Sequence, residues 1–242
     1  MTYNSESHLV VIPTYNEKEN IKILLNELLK LDISVLVVDD NSPDGTKEVV
    51  EDFVNLNSEI HLLDRTAKLG LGSAYRDGFS WGIKNQFLYI VEMDADFSHS
   101  PKDLKEILDS SYDNDVVIGS RYIPGGGSFG WDVKRRLLSK TANLISRLIL
   151  RTKTNDMTSG FRCYSVNSLE KIHYQNTNSD GYSFQIEMTM KCEVNNLKIK
   201  EVPIIFNERR IGASKMSKKI IYEALVFLFK NGIKRWLNLK IN

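Results

Sequence analysis

Asp94-Ala95-Asp96 follows the apolar run that ends at Met93, and two carboxylates two positions apart at a strand end offer hard oxygen ligands to a divalent cation. A cation held there can also hold diphosphate oxygens, so the triplet reads as a candidate site for a nucleotide diphosphate. A second acidic pair, Asp39-Asp40, closes the run Val35–Val38 and leads into Asn41-Ser42-Pro43-Asp44-Gly45-Thr46. These carboxylates can accept hydrogen bonds from a base or ribose, or serve as an ordinary turn with Asp caps. Pro13-Thr14-Tyr15-Asn16-Glu17 adds a proline-shaped turn, a ring on which a base can pack and a carboxylate near a helix start. In the competing reading Tyr15 belongs to the core and Glu17 merely favours the helix dipole.

If a sugar-nucleotide donor and a phosphate acceptor meet at these residues, three phosphates need partners. Arg121, Arg135, Arg209, Arg210 and Lys215 are the candidates, arginine as a forked donor and lysine as a point charge. Arg136, Lys140 and Lys153 read as a solvated basic face. Lys68-Leu69-Gly70-Leu71-Gly72 lacks both the third glycine of GxGxxG and the Gly-Lys-Ser/Thr of a P-loop, and reads as a loop packed closely beside the site. His99 reads as a hydrogen-bonded bystander.

The elements that must position these residues alternate in the first half of the chain. Strands are predicted over His8–Pro13, Ser34–Asp39, Glu59–Asp64, Leu88–Met93 and Asp115–Gly119, and helices over Glu17–Leu31, Thr46–Leu56, Gly72–Lys84 and Pro101–Asp109. Successive βαβ units of this kind build a mostly parallel α/β sheet flanked by helices, whose ligands lie outside the carboxyl ends of the strands. Polar clusters end every strand but the third, so four of them should line one crevice. The second half predicts a basic helix from Lys134 to about Arg151, a TSGFRCY segment without an assigned element, a helix over Ser183–Val194, a strand over Ile199–Phe206 and an amphipathic helix over Lys218–Trp236.

The chain has 242 residues, 42% of them hydrophobic, and 32 basic residues against 31 acidic ones. That supports a single folded domain and gives no electrostatic reason for a nucleic-acid partner. Cys163 and Cys192 show no zinc-ligand spacing and no disulfide framework. The N-terminus has no basic start followed by an apolar stretch, and no window approaches the roughly 20 apolar residues that span a bilayer. A membrane role would be peripheral. The last helix mixes apolar Ile220, Ile221, Leu225, Leu228 and Trp236 with Lys218, Lys219, Lys230, Lys234 and Arg235. It suits either an anionic membrane surface or packing on the core or a membrane subunit.

In order, the segments VIPTYNE, VVDDNSPDGT, KLGLGSAY, MDADFSHSP, GSRY, GGGSFGW with KRRLLSKTAN, DMTSGFRCY, GYSFQIEM and EVPIIFNERRIGASK resemble dolichol-phosphate mannosyltransferases over about residues 9–215. The resemblance implies an inverting enzyme of GT-A type fold that moves mannose from GDP-mannose to dolichyl or a related polyprenyl phosphate with a divalent metal, Mg2+ or Mn2+. It implies a catalytic domain over 1–215 and a C-terminal helix over 216–242. The cytoplasmic face of a membrane is the expected location, the endoplasmic reticulum in a eukaryote or the plasma membrane in a prokaryote, with small membrane subunits as further partners. Position by position, it places the donor on Pro13, Tyr15, Glu17, Val38, Asp40 and Ala95, and the metal on Asp94 and Asp96. It assigns Arg121, Arg209 and Lys215 to donor phosphates or developing charge, and Arg135 and Ser139 to the acceptor phosphate. Asp96, Arg121, Arg209 and Lys215 form the implied catalytic set. Ser98 stands where some family members carry glutamine, which leaves a third protein ligand to the metal open. Alternatives are a UDP-glucose-dependent transferase acting on the same lipid, and a non-catalytic subunit that binds nucleotide sugars.

Overall fold

The computed structural model describes residues 7–208, 218–237 and 239. Seven strands form the main sheet: β1 (His8–Thr14), β2 (Ser34–Asp39), β3 (Ile60–Asp64), β4 (Tyr89–Glu92), β5 (Val116–Ser120), β7 (Arg162–Ser165) and β8 (Ile199–Pro203). Their order is β3-β2-β1-β4-β7-β5-β8, and every neighbouring pair is parallel except those that β7 makes with β4 and β5. The β-branched run of β2 is buried along its whole length, as expected of a strand covered on both faces. Pro13 is tolerated in β1 because pairing with β4 stops at Val11, two residues earlier.

Helices α1 (Lys18–Leu29), α2 (Thr46–Leu56) and α4 (Pro101–Ser111) cover one face, where Ile21, Leu24, Leu28, Val50 and Leu104 join Val10, Ile12 and Val35. Helices α3 (Leu71–Lys84), α6 (Val166–Lys171) and α7 (Gly181–Val194) cover the other through Tyr75, Phe79, Leu169, Phe184 and Met188. α4 begins as its sequence predicts, with Pro101 in the first turn and the Ser100 side chain accepting a hydrogen bond from the Lys102 amide. Both cysteines are free and buried, and burial pushes each thiol up to about 12.

The structure adds β7, from the segment left without an element. It also divides the predicted strand Ile199–Phe206 at Pro203, so that β9 (Ile205–Phe206) leaves the main sheet and pairs with β6 (Gly127–Ser128). Two long helices stand outside the layered core: α5 (Val133–Leu150) and α8 (Lys218–Trp236). Asp132 caps α5 by accepting from the Arg135 amide at 2.7 Å. α5 is built inside out. Asn143 and Ser146 face the protein, while Val133, Leu137, Leu138, Leu144, Ile145 and Leu148 are exposed. At 100° per residue these apolar positions fall opposite the buried ones. α8 repeats the pattern with Leu225, Val226, Phe229, Ile233 and Trp236 outward.

Candidate active site

The carboxyl ends of β1, β2, β3, β4 and β5 lie along one edge of the sheet, and β7, running the other way, brings the loop before it to the same edge. At the end of β1, Thr14 Oγ1 donates to Asp39 Oδ1 at 2.7 Å and the Asn16 amide donates to Ser42 Oγ at 3.0 Å. The Ser42 amide donates to Asp39 Oδ2 at 2.8 Å, so buried Asp39 ties the two turns together. Asn16 and Asn41 both take φ of 58°, a left-handed geometry that asparagine tolerates. Glu17 is half-buried, with its amide donating to Thr46 Oγ1 at 3.0 Å and its carboxylate accepting from Asn20 Nδ2 at 2.8 Å. Tyr15 is also half-buried, and the Lys68 ammonium lies 3.6 Å from its ring centroid.

Asp40 is enclosed by protein donors. Arg65 pairs with its Oδ1, while the amides of Leu69 and Gly70 donate to its Oδ2 at 3.2 and 3.0 Å. Asp40 therefore pins the 68–72 loop beside the crevice. Asp180 holds the same loop through the Gly72 amide at 2.6 Å. Gly70, at φ 99°, lies against the Asp180 carboxylate where a Cβ would collide, which explains the glycine as close packing. Arg65, which sequence reasoning did not single out, is the cation that this acidic turn requires. Pro13 is half-buried at the crevice edge. Val38 is wholly buried near the end of β2.

The acidic triplet does not lie on a strand. β4 ends at Glu92, and Asp94, Ala95 and Asp96 occupy the turn that follows, with Phe97 at φ 62°. Strand alternation therefore does not orient the two carboxylates; the turn does. The Ser98 amide donates to Asp96 Oδ1 at 3.0 Å and the Ser98 hydroxyl donates to the same oxygen. Asp96 and Ala95 are buried, whereas the Asp94 side chain is 30% exposed. His99 receives the Asp94 amide on Nδ1 at 3.1 Å and stacks on Phe161 at 4.9 Å, so it props the turn from behind. Two hard carboxylates at one turn match a small divalent cation. Among the described residues no group of three or more His, Cys, Asp or Glu side chains is arranged around a metal position. Directly beneath, Glu92 is fully buried opposite Arg162 in the β4–β7 register. Burial pushes its carboxyl up to about 8, partly offset by Arg162 and by Gln185, whose Nε2 donates to it at 2.8 Å.

Arg121 follows β5 but turns away from solvent. Its Nε and one terminal nitrogen donate to the two oxygens of Asp156, both at 2.7 Å, and that nitrogen also reaches Thr158 Oγ1 at 2.8 Å. Burial alone would raise the Asp156 carboxyl, but the Arg121 charge and hydrogen bonds hold it below its ordinary range. Tyr122, Trp131 and Phe206 surround the guanidinium at 5.2 to 5.6 Å. Arg121 thus spends its Nε and one terminal nitrogen on a buried forked ion pair with Asp156. Thr158 also accepts from Asn143 Nδ2 at 3.1 Å, and the Tyr122 hydroxyl donates to Ser139 at 2.7 Å, so two links run from this pair to α5. On α5, Arg135 lies over the Trp131 ring at 4.4 Å and reaches Glu208 at 3.3 Å; both charged side chains are exposed. Arg135 and Ser139 are one helical turn apart and share a face. Arg209, Arg210 and Lys215 lie outside the described residues, as does the whole RRIGASK segment.

Residues 9–173 match the family described as glycosyl transferase family 2. The chain belongs to that family. It is 43% identical over 230 residues to the polyprenol monophosphomannose synthase of Mycolicibacterium smegmatis, covering 93% of this chain and 87% of that protein. It is 41% identical over 235 residues to the undecaprenyl-phosphate mannosyltransferase of Micrococcus luteus, covering 96% and 97%. Among solved structures it resembles glucosyl-3-phosphoglycerate synthase from Mycobacterium tuberculosis in complex with Mn2+, UDP and glucosyl-3-phosphoglycerate. That likeness has TM-score 0.64 at 16% identity and covers 98% and 81% of the two chains. A mannosyltransferase from Pyrobaculum calidifontis in complex with GDP-Man and Mn2+ gives TM-score 0.62 at 17% identity, covering 94% and 64%. At these identities the structures show the shared GT-A type fold. In this family 2 protein, sequence reasoning did not single out Asp156, Thr158, Trp131 or Glu208. For Asp156 a signal existed, since a carboxylate in a short loop is the natural partner of an arginine at a strand end.

Proposed function

We propose that the chain transfers mannose from GDP-mannose to the phosphate of a polyprenol such as dolichol or undecaprenol. The observation that carries this reading is the Asp94–Asp96 turn at the crevice edge, in a chain more than 40% identical to two proteins named for polyprenyl-phosphate mannosyl transfer. An acceptor phosphate is already ionised near neutral pH, so the reaction needs no strong general base. One acceptor oxygen forms a bond to the anomeric carbon as the bond to the donor diphosphate breaks, and the electron pair leaves on GDP. Displacement of α-linked mannose from the opposite side yields the β-linked lipid.

Asp94 and Asp96 would hold the divalent metal, which as a hard cation supplies charge neutralisation to the leaving diphosphate. Tyr15 and Glu17 border the donor pocket, and Asp40 holds its wall in place. Arg135 and Ser139 would bind the acceptor phosphate from one face of α5, while the Arg121–Asp156 pair fixes the loop and helix that carry them. Arg209 and Lys215 complete the positive charge that the sequence offers to GDP.

The assay is transfer of radiolabelled mannose from GDP-mannose into organic-extractable lipid, run beside labelled UDP-glucose, with and without manganese. Mannose in the lipid fraction, dependent on metal and with glucose absent, is the expected result. Equal or greater glucose transfer would replace the donor, and binding of GDP and manganese without any transfer would make the chain a nucleotide-sugar-binding subunit.

A polyprenol resides in a bilayer, and no described helix is long and apolar enough to cross one. The outward apolar stripes of α5 and α8 supply the surface for a peripheral approach. α5 carries Lys134, Arg135, Arg136, Lys140 and Arg147 with no acidic residue, a charge pattern suited to an anionic leaflet. Leu137→Glu/Leu144→Glu is expected to abolish flotation with liposomes and lower transfer to a long-chain acceptor, while sparing transfer to a water-soluble short-chain one. Unchanged flotation would remove α5 from the membrane account.

A further inference from the structure

Two cavities flank the end of α5, and none of their lining residues is one assigned to donor or acceptor. One, of about 540 Å³, is an apolar groove lined by Ile149, Leu228, Phe229, Gly232, Ile233 and Trp236 among others. The second, of about 590 Å³, is lined in part by Arg151, Lys153 and Arg235. Their walls are locked together. Trp236 Nε1 donates to the Ile149 carbonyl at 3.1 Å, Arg235 Nε donates to the Leu150 carbonyl at 2.8 Å, and the Arg151 guanidinium lies 5.2 Å from the Trp236 ring. Gly232 permits the two helices to approach this closely, since a Cβ there would sit 2.5 Å from Ile149 Cγ2.

The second cavity carries three cationic side chains against two carboxylates, an excess of one positive charge. Glu193 and Glu201 also line it, but Glu193 receives the amides of Lys153 and Thr154 at 2.8 Å, and Glu201 receives those of Asn155 and Asp156 at 2.9 and 3.0 Å. Those carboxylates serve the 153–156 loop. Arg151 and Lys153 make no ion pair among the described residues. Arg235 covers the last carbonyls of α5, which takes the negative end of the helix dipole out of the path of an approaching anion.

We propose that this corner binds one anionic phospholipid, its phosphate against Arg151, Lys153 and Arg235 and an acyl chain in the groove between α5 and α8. A basic pocket, an apolar groove and a tryptophan at their junction match the two halves of an amphiphile and the boundary between them. The site is separate from the proposed acceptor position: Arg151 lies sixteen residues beyond Arg135, about 24 Å along the helix axis. It does not depend on the donor or on the sugar transferred. Its consequence is a fixed orientation of the α5–α8 face on an anionic leaflet.

Calorimetric titration of the full chain tests this with dihexanoylphosphatidylglycerol below its micelle concentration, dihexanoylphosphatidylcholine and inorganic phosphate. Saturable binding of one phosphatidylglycerol per chain is expected, weakened at least about tenfold by Arg151→Gln/Lys153→Gln as two charge-assisted contacts are lost. Phe229→Ala should weaken it through the groove. Equal binding of phosphatidylcholine would remove the role of charge, and equal binding of inorganic phosphate would remove that of the chain. Failure of phosphatidylglycerol to bind, or unchanged affinity in the double variant, would overturn the site. Sugar transfer by the double variant to a water-soluble short-chain acceptor should stay at the wild-type rate; no transfer by either protein would count against the proposed reaction and leave the lipid titration standing.

Discussion

Asp96→Asn protein is expected to fold normally and to transfer mannose on the order of 100-fold more slowly than wild type, or worse. Asparagine keeps a carbonyl oxygen where Asp96 Oδ1 accepts from the Ser98 amide and hydroxyl, so the turn is retained. What disappears is one of the two negative charges proposed to hold the cation. Circular dichroism and a melting temperature near wild type establish that the fold survives, and calorimetry with manganese reads the lost affinity separately from turnover. Ser98→Ala gives the complementary result: it removes a hydroxyl that orients Asp96 but leaves both charges, so its effect on turnover should be far smaller. Near-normal transfer by purified Asp96→Asn at saturating metal would sink the assignment of this turn to the leaving diphosphate.

The first half of the fold was legible because its signals are local. The β-branched run at Val35–Val38 and the Ser100-Pro101 helix start both act within a few residues, and the structure places those elements where the sequence does. β7 was not legible. It is four residues long and begins with Arg162, a charge that no local pattern assigns to the middle of a seven-stranded sheet. Its burial is made tolerable by distant partners: Nε donates to the Ser159 carbonyl at 2.6 Å, the terminal nitrogens donate to Thr189 Oγ1 at 2.7 Å and the Met157 carbonyl at 3.0 Å, and Glu92 stands opposite. Only tertiary structure supplies them.

The same distinction runs through the candidate site. Asp94 and Asp96 were visible from type and spacing after the predicted strand Leu88–Met93, whereas the turn contacts that orient them were not. The role of Asp40 was less visible, because the sequence shows a carboxylate but not the Arg65 ion pair and two amides that enclose it. The orientation of α5 was not legible for the opposite reason. Its periodicity marked an amphipathic helix, but periodicity does not say which face meets the protein. Asn143 decides the orientation by accepting from the Met157 amide at 2.8 Å and donating to Thr158, which fixes the polar face inward and leaves the leucines outside.

Asp156→Asn should be the most destabilising single change considered for this protein. It leaves the Arg121 guanidinium buried without its counter-charge, a change that typically costs about 3–5 kcal/mol, or roughly 10 °C in melting temperature for a chain of this size. The pH dependence follows in sign. The folded carboxyl is held below its ordinary value of 3.8, so the pair contributes stability above that pH and loses it as pH falls through the lowered value. Wild type should therefore show an acid-dependent loss of stability that Asp156→Asn lacks. Arg121→Met/Asp156→Leu separates structure from function, because well-packed apolar residues often replace a buried ion pair without loss of stability. That double variant is expected to melt near wild type while its KM for the polyprenyl phosphate rises, since Thr158 and the Tyr122–Ser139 link lose the guanidinium that positions them. Wild-type KM and kcat in the double variant would make the pair a purely structural device, and an Asp156→Asn protein as stable as wild type would contradict the forked geometry itself.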